Sequence, residues 1–210
     1  MNIAVFASGR GSNFQAILNA IQGGRLPASI SLVVSNNSSA GALEIARAHG
    51  IPAVHRSLRQ FPQAEAFDDD LLALLDRHRV DLIALAGYMK QLSPRFVATY
   101  RNRIVNVHPA LLPAFGGPGM YGMHVHEAVL RSGAKVSGVT VHLVDEQYDH
   151  GMILAQETVR VDAEDTPESL AAKVLILEHE VYPRVLAAFA ENRVRFIGQS
   201  AWIVSEPTRP

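Results

Sequence analysis

Along the first hundred residues, short and almost wholly apolar runs alternate with segments of helical period. Ile3 to Ala7, Ile30 to Val34, Leu82 to Ala86 and Ile104 to Val107 have no polar face, which predicts strands buried on both sides in a parallel sheet. Pro52 to His55 predicts a short further strand. Between them the spacing of apolar residues predicts helices over Ser12 to Gln22, Ala40 to His49 and Phe67 to His78, with a short one around Pro94 to Tyr100. Repeated strand–helix units point to an α/β fold with a doubly wound, mostly parallel (Rossmann-like) sheet. Right-handed crossovers then bring the strand carboxyl ends, and any ligand, to one edge.

The pattern changes after residue 110. A helix from about Val125 to Ser132 precedes Ser137 to Asp145, where Val139, Val141 and Leu143 alternate with polar neighbours. Met152 to Val161 predicts a second long strand, pairing antiparallel with the first around the Asp145–Gly151 turn, so the sheet acquires an antiparallel C-terminal extension. A long helix over Pro167 to Ala190, with Thr166 as N-cap and Glu168 in its first turn, is expected to close the domain. Glu206 to Pro210 read as a frayed tail. There is no internal repeat or linker, and one domain over residues 1–210 is expected.

Composition narrows the function. The 210 residues are 48% hydrophobic and 19% charged, with a formal net charge of −1, so no global basic field attracts nucleic acid or an anionic membrane. Cysteine is absent, which removes disulfides, thiolate metal sites and a cysteine nucleophile. The first residues lack a signal peptide's basic start and long apolar run, and no run approaches a bilayer span. A soluble cytoplasmic protein is expected.

Ser8-Gly9-Arg10-Gly11-Ser12-Asn13 stands where the first strand hands over to the first helix. Glycines allow a tight turn and close approach, and the helix start offers free N–H groups to an anion. A P-loop would need Gly-Lys-Ser/Thr, and a dinucleotide fingerprint would need a third glycine where Phe14 stands and an acidic residue where the chain has Ser35-Asn36-Asn37. A phosphate monoester fits better. A plain tight βα turn accounts equally well for the loop taken alone.

Asn106 and His108 lie two apart at a strand end, before Pro109, and point the same way if extended geometry persists. A carboxamide and a protonated imidazole aimed at one point form an oxyanion hole. A neighbouring carboxylate would orient the imidazole and raise its pKa; Asp149, at the turn tip, fits that role better than Asp145. Each motif alone is more often structural. His49, His55, His78 and His150 read as surface residues. His124 and His126, with His108, suggest a metal only weakly, because no acidic ligands accompany them. Met89, Met120, Met123 and Met152 read as packing residues.

Taken together these motifs resemble the phosphoribosylglycinamide formyltransferase family, the folate-dependent transformylases of purine biosynthesis. The resemblance runs through Ser8 to Asn13, Leu85-Ala86-Gly87-Tyr88-Met89 with Leu92-Ser93-Pro94, and Asn106-Val107-His108-Pro109-Ala110-Leu111-Leu112-Pro113. It continues through His124-Val125-His126, Val139 to His142, Asp145 to Gly151 and Glu178-His179-Glu180-Val181-Tyr182-Pro183. It implies that Gly11, Ser12 and Asn13 hold the substrate phosphate, and that Glu178 orients the glycinamide end. Met89, Lys90, Gln91 and Leu92, with Val144 and Asp145, would contact 10-formyltetrahydrofolate, used as a cosubstrate without a metal. Asn106, His108 and Asp149 would carry the transfer. The phosphate part would occupy about residues 1–103 and the folate and catalytic part about 104–203.

Two departures stand out. The link Gly116-Gly117-Pro118-Gly119-Met120-Tyr121-Gly122-Met123 is longer and richer in glycine than the family's usual one, and reads as a flap beside the site. Ala64 stands where many members carry an arginine, leaving Lys90 as a candidate to meet the folate tail. The implied partners are small molecules, with no nucleic acid and no membrane, and the chain acts as a monomer or homodimer. A 10-formyltetrahydrofolate hydrolase and a catalytically idle folate- or phosphosugar-binding module are the alternatives.

Overall fold

A computed structural model describes residues 1–205; the tail expected to fray lies outside the described residues. The chain forms two compact units, Met1–Asn106 and a second that begins at Val107, with the boundary inside one strand.

The first unit is the parallel sheet that the apolar runs predict. Its strands are β1 (Asn2–Phe6), β2 (Ser29–Ser35), β3 (Ala53–His55), β4 (Leu82–Leu85) and β5 (Ile104–His108). They lie in the order β3-β2-β1-β4-β5, each pair parallel. Helices α1 (Ser12–Gln22), α2 (Gly41–Ala48), α3 (Ala64–Arg77) and α4 (Pro94–Thr99) make the crossovers. Ile3 to Phe6 of β1 are wholly buried, which explains why no polar residue interrupts that run. The order reverses between β1 and β4. In sheets of this kind that switch point opens a crevice at the strand carboxyl ends, where ligands bind. α3 begins three residues earlier than its apolar period suggested, after Gln63. A 3₁₀ turn at Leu58–Gln60, closed by reciprocal Ser57 and Gln60 capping bonds, was not legible from periodicity.

The second unit contains α5 (Met123–Ser132), β6 (Val136–Leu143), β7 (Ile153–Arg160) and α6 (Pro167–Ala190). β6 and β7 pair antiparallel as expected, with a register shift between Val141 and His142. The polar alternation in β6 does not face solvent. Ser137, Thr140 and His142 are as buried as Val139, Val141 and Leu143. Thr140 shows how a buried hydroxyl is accommodated: it donates to the Ala110 carbonyl at 2.6 Å and accepts from the Leu112 amide at 2.9 Å. Gln156 on β7 adds a third bond at 3.0 Å. The segment leaving His108 is thereby pinned to β6. α6 carries the expected Thr166 cap, which accepts from the Ser169 amide, and Pro167 in its first turn. It does not close the unit. A hairpin of β8 (Val194–Ile197) and β9 (Ser200–Ile203) follows it, short strands whose alternation was too brief to read.

Candidate active site

In the first unit, the loop after β1 and the segment after β4 meet. Ser8 N–H donates to the Gly87 carbonyl at 3.0 Å, and Ser8 Oγ accepts from the Met89 amide at 2.8 Å. Ser8 Oγ also donates to Asn36 Oδ1 at 2.5 Å, tying in the end of β2. The two segments to which the family resemblance assigns phosphate and folate therefore lie side by side at the β1/β4 switch point. Gly11 takes φ +86° immediately before α1, and a Cβ there would stand 2.9 Å from Ala42 of α2, so glycine is required twice over. Ser12 opens α1, and Asn13 is buried on its first turn. Beyond β4, Leu92 is buried while Met89, Lys90 and Gln91 are exposed. Met89 is 55% and Met123 38% exposed, so neither is the packing residue that a methionine in an apolar chain suggests. An open cavity of about 380 Å³, lined by Leu72, Asp76, Arg79, Tyr100 and Arg103, lies at the opposite, amino ends of β4 and β5.

In the second unit, His108 ends β5 and is only 3% exposed. Its Nε2 lies 2.8 Å from the Phe115 carbonyl, and its Nδ1 lies 3.6 Å from Asp149 Oδ2. A carbonyl only accepts, so Nε2 carries a hydrogen and Nδ1 is the nitrogen that gains or loses a proton. Asp149 Oδ2 also accepts from the Gly117 amide at 3.0 Å. Asp149 sits in the left-handed region at φ +53°, which an aspartate at a turn tip tolerates. Asp145 turns elsewhere: it pairs with His150 Nδ1 at 2.7 Å and accepts from the Gln147 amide. His150 is exposed, as expected, and its ring bonds Asp145. The choice of Asp149 over Asp145 as the neighbour of His108 therefore matches the geometry.

One member of the cluster was missed. His142 Nε2 lies 3.7 Å from Asp149 Oδ1, an ion-pair distance too long for a hydrogen bond, while its Nδ1 donates to the Leu143 carbonyl at 2.7 Å. Asp149 thus stands between two imidazoles, one facing each oxygen. The sequence marked His142 as a polar residue in an alternating strand and within a segment shared with the family, without giving it a role. The register shift beside it, a device that redirects side chains, has no signature in the residue types.

The electrostatics correct one expectation. Burial pushes His108 below the ordinary histidine range. The Asp149 carboxylate and the Phe115 carbonyl pull it up, His142 opposes them, and burial wins. A carboxylate neighbour does not by itself make this histidine a standing cation. For Asp149 burial acts upward, but His142, His108 and the Gly117 amide together hold the carboxyl below its usual value. Asp149 is thus held towards its carboxylate form, and Nδ1 of His108, whose Nε2 is committed to the Phe115 carbonyl, is the ring nitrogen placed to exchange a proton.

Among the other named residues, Asn106 is half-buried in β5 and Val144 half-buried after β6. Glu178 is buried on α6, 9% exposed. His126 is buried at 4% with its Nδ1 unpartnered, and its pKa is lowered by burial and by His108. No cluster of three or more metal-ligating side chains occurs among the described residues.

A buried imidazole–carboxylate pair suits acyl transfer. Comparison with known proteins decides the family. Residues 1–186 match the family model described as "Formyl transferase". The chain belongs to the formyl transferase family. It is 36% identical over its whole length to phosphoribosylglycinamide formyltransferase of Escherichia coli, covering 97% of that protein. It is 43% identical to the chloroplastic phosphoribosylglycinamide formyltransferase of Arabidopsis thaliana, over 99% of this chain and 72% of that one. The crystal structure of glycinamide ribonucleotide transformylase 1 from Symbiobacterium toebii superposes with a TM-score of 0.91 at 38% identity. That superposition covers 98% of this formyl transferase chain and 94% of the other.

Proposed function

We propose that this formyl transferase moves the formyl group of 10-formyltetrahydrofolate onto the amine of 5-phosphoribosylglycinamide, a step of de novo purine (IMP) biosynthesis. The observation that carries the reading is the buried His108 Nδ1 facing Asp149 at 3.6 Å, in a chain whose relatives bear that name.

The amine attacks the formyl carbon and the carbonyl electrons move onto oxygen. The Asn106 carboxamide, two residues before His108, stabilises that oxyanion. His108 takes the amine proton at Nδ1, and the imidazolium so formed faces Asp149 and the developing negative charge. The C–N bond to the folate then breaks and the departing nitrogen receives the proton. Gly11, Ser12 and Asn13 hold the phosphate at the start of α1, where free N–H groups and the helix dipole favour an anion. Glu178 orients the glycinamide end. Met89, Lys90, Gln91 and Leu92 contact the folate, as do Val144 and Asp145, and Lys90 is the cation available to its glutamate tail. The enzyme works in the cytoplasm on small molecules, as a monomer or homodimer, without nucleic acid or membrane. No helix among the described residues is long and apolar enough to cross a membrane.

One assay tests the reading. Purified protein is mixed with 10-formyltetrahydrofolate, or a dideaza analogue, with and without 5-phosphoribosylglycinamide, and release of the deformylated folate is followed. Release that depends on the ribonucleotide is expected. Release without it would indicate a hydrolase, and binding without turnover a binding module.

A further inference from the structure

We infer that the root of the glycine-rich flap is a positioning element of the transfer site: the Phe115 carbonyl and the Gly117 amide set His108 and Asp149, and they make Nδ1 the nitrogen that moves the proton. The inference rests on the acyl-transfer role proposed for that pair.

Phe115 and Gly117 lie two residues apart, and each spends a backbone polar group on one member of the pair. The Phe115 carbonyl accepts from His108 Nε2 at 2.8 Å, and the Gly117 amide donates to Asp149 Oδ2 at 3.0 Å. The same Oδ2 is the oxygen 3.6 Å from His108 Nδ1, so one short segment fixes both sides of that gap. The Nε2 proton is committed to a carbonyl, which cannot take it. The amine proton must therefore arrive at Nδ1 as the new C–N bond forms, and must leave from Nδ1 towards the departing folate nitrogen.

The backbone that presents these groups is unfavourable at Phe115, while glycine meets the same demand at Gly117. Phe115 takes φ +55° and Gly117 φ +93°. A Cβ on Gly116 would stand 2.5 Å from Leu112 Cδ2 and 3.1 Å from Asp149 Cβ. A phenylalanine in the left-handed region persists only where its surroundings over-determine it, and such strain gathers at functional sites. Here the over-determining contacts include the two bonds to His108 and Asp149. Sequence alone marked the segment as a flap; the bonds show that its root belongs to the proton path.

The test combines nuclear magnetic resonance on the wild-type protein with kinetics of a flap variant. In protein labelled with ¹⁵N, His108 should appear as the neutral Nε2–H tautomer, with that proton and the Gly117 amide both protected from exchange. Gly116→Ala should lower kcat by tenfold to roughly a hundredfold. The KM values should stay within about twofold, because groups aligned only for the reaction are lost while binding persists. The same variant should lose protection at His108 Nε2–H. Pro118→Ala, exposed in the same flap, should keep near wild-type turnover and the same resonances. An Nδ1–H tautomer, or a Gly117 amide exchanging like an open loop, would overturn the inference. So would Gly116→Ala raising KM alone, or abolishing protection without lowering kcat. If Gly116→Ala does not fold, the wild-type resonances decide. An active enzyme without these contacts defeats this inference alone, whereas a protein with no transfer activity defeats the proposed function and this inference with it.

Discussion

His142 Nε2 stands 3.7 Å from Asp149 Oδ1, the carboxylate oxygen turned away from His108. The carboxylate is therefore held from two sides, and His142 acts on His108 both through it and by its own opposing field. His142→Asn should lower kcat several-fold to about tenfold with little change in either KM, since an amide retains the approximate volume but not the imidazole that faces Asp149. It should also raise the Asp149 pKa towards the usual carboxylate value, measurable by ¹³C resonance of the carboxyl. Wild-type kcat in that variant would leave His142 a core residue.

Removing the oxyanion partners should be more severe. Asn106→Ala and His108→Ala should each cost on the order of a hundredfold or more in turnover. Single-turnover measurement separates this from slow product release. Near wild-type turnover in both variants would sink the proposed mechanism. Asp149→Asn should approach the same loss, whereas Asp145→Asn, at a residue proposed to contact the folate, should raise the folate KM while changing turnover less than about threefold.

The pH dependence of activity follows from the sign of the His108 shift. If the working form is neutral and its pKa lies below 6.5, kcat/KM should rise with pH along an acid limb below 6.5 and stay flat above it. Asp149 pulls that pKa upward, so the residual activity of Asp149→Asn should show an acid limb at still lower pH. A loss of activity through pH 7 to 8 would mean that the charged form works instead.

Stability should carry the same signature. His108, His126 and His179 all have lowered pKa values, with burial the main cause. As pH falls below about 6.5 the unfolded chain binds protons first, so each group costs stability down to its folded pKa. Asp149, depressed instead, contributes stability above about 3.8 that is lost as pH falls through its folded value. Both effects run the same way: Tm should decline from pH 7 to 5 and then more steeply. His126→Asn should flatten the upper part of that decline.

Thr140→Val tests the buried hydroxyl that pins the chain after His108. It leaves the Leu112 amide without its acceptor and should cost about 1–3 kcal/mol, measured by urea unfolding. A change below about 0.5 kcal/mol would show that another group takes over the amide.

Local pattern by itself determined most of the elements. α1 and α6 begin and end where their apolar period, caps and prolines predict, because those signals act within a few residues of the positions they control. The β1 loop was legible for the same reason: its glycines answer a backbone demand at their own positions. The Asn106-x-His108 motif and the carboxylate turn were likewise visible as residue types.

Tertiary structure decided what those residues meet. Asp149 rather than Asp145 reaches His108 because of where the β6–β7 turn folds, and His142, beside a register shift in β6, reaches the other oxygen of the same carboxylate. The sequence suggested that a carboxylate would keep His108 charged; the depth of burial reverses the balance, and depth belongs to the packed molecule. The two flap bonds lay furthest from view, since they come from backbone groups that every residue possesses. Side-chain chemistry is written locally, whereas distance, burial and the direction of a carbonyl are properties of segments brought together only in the folded chain.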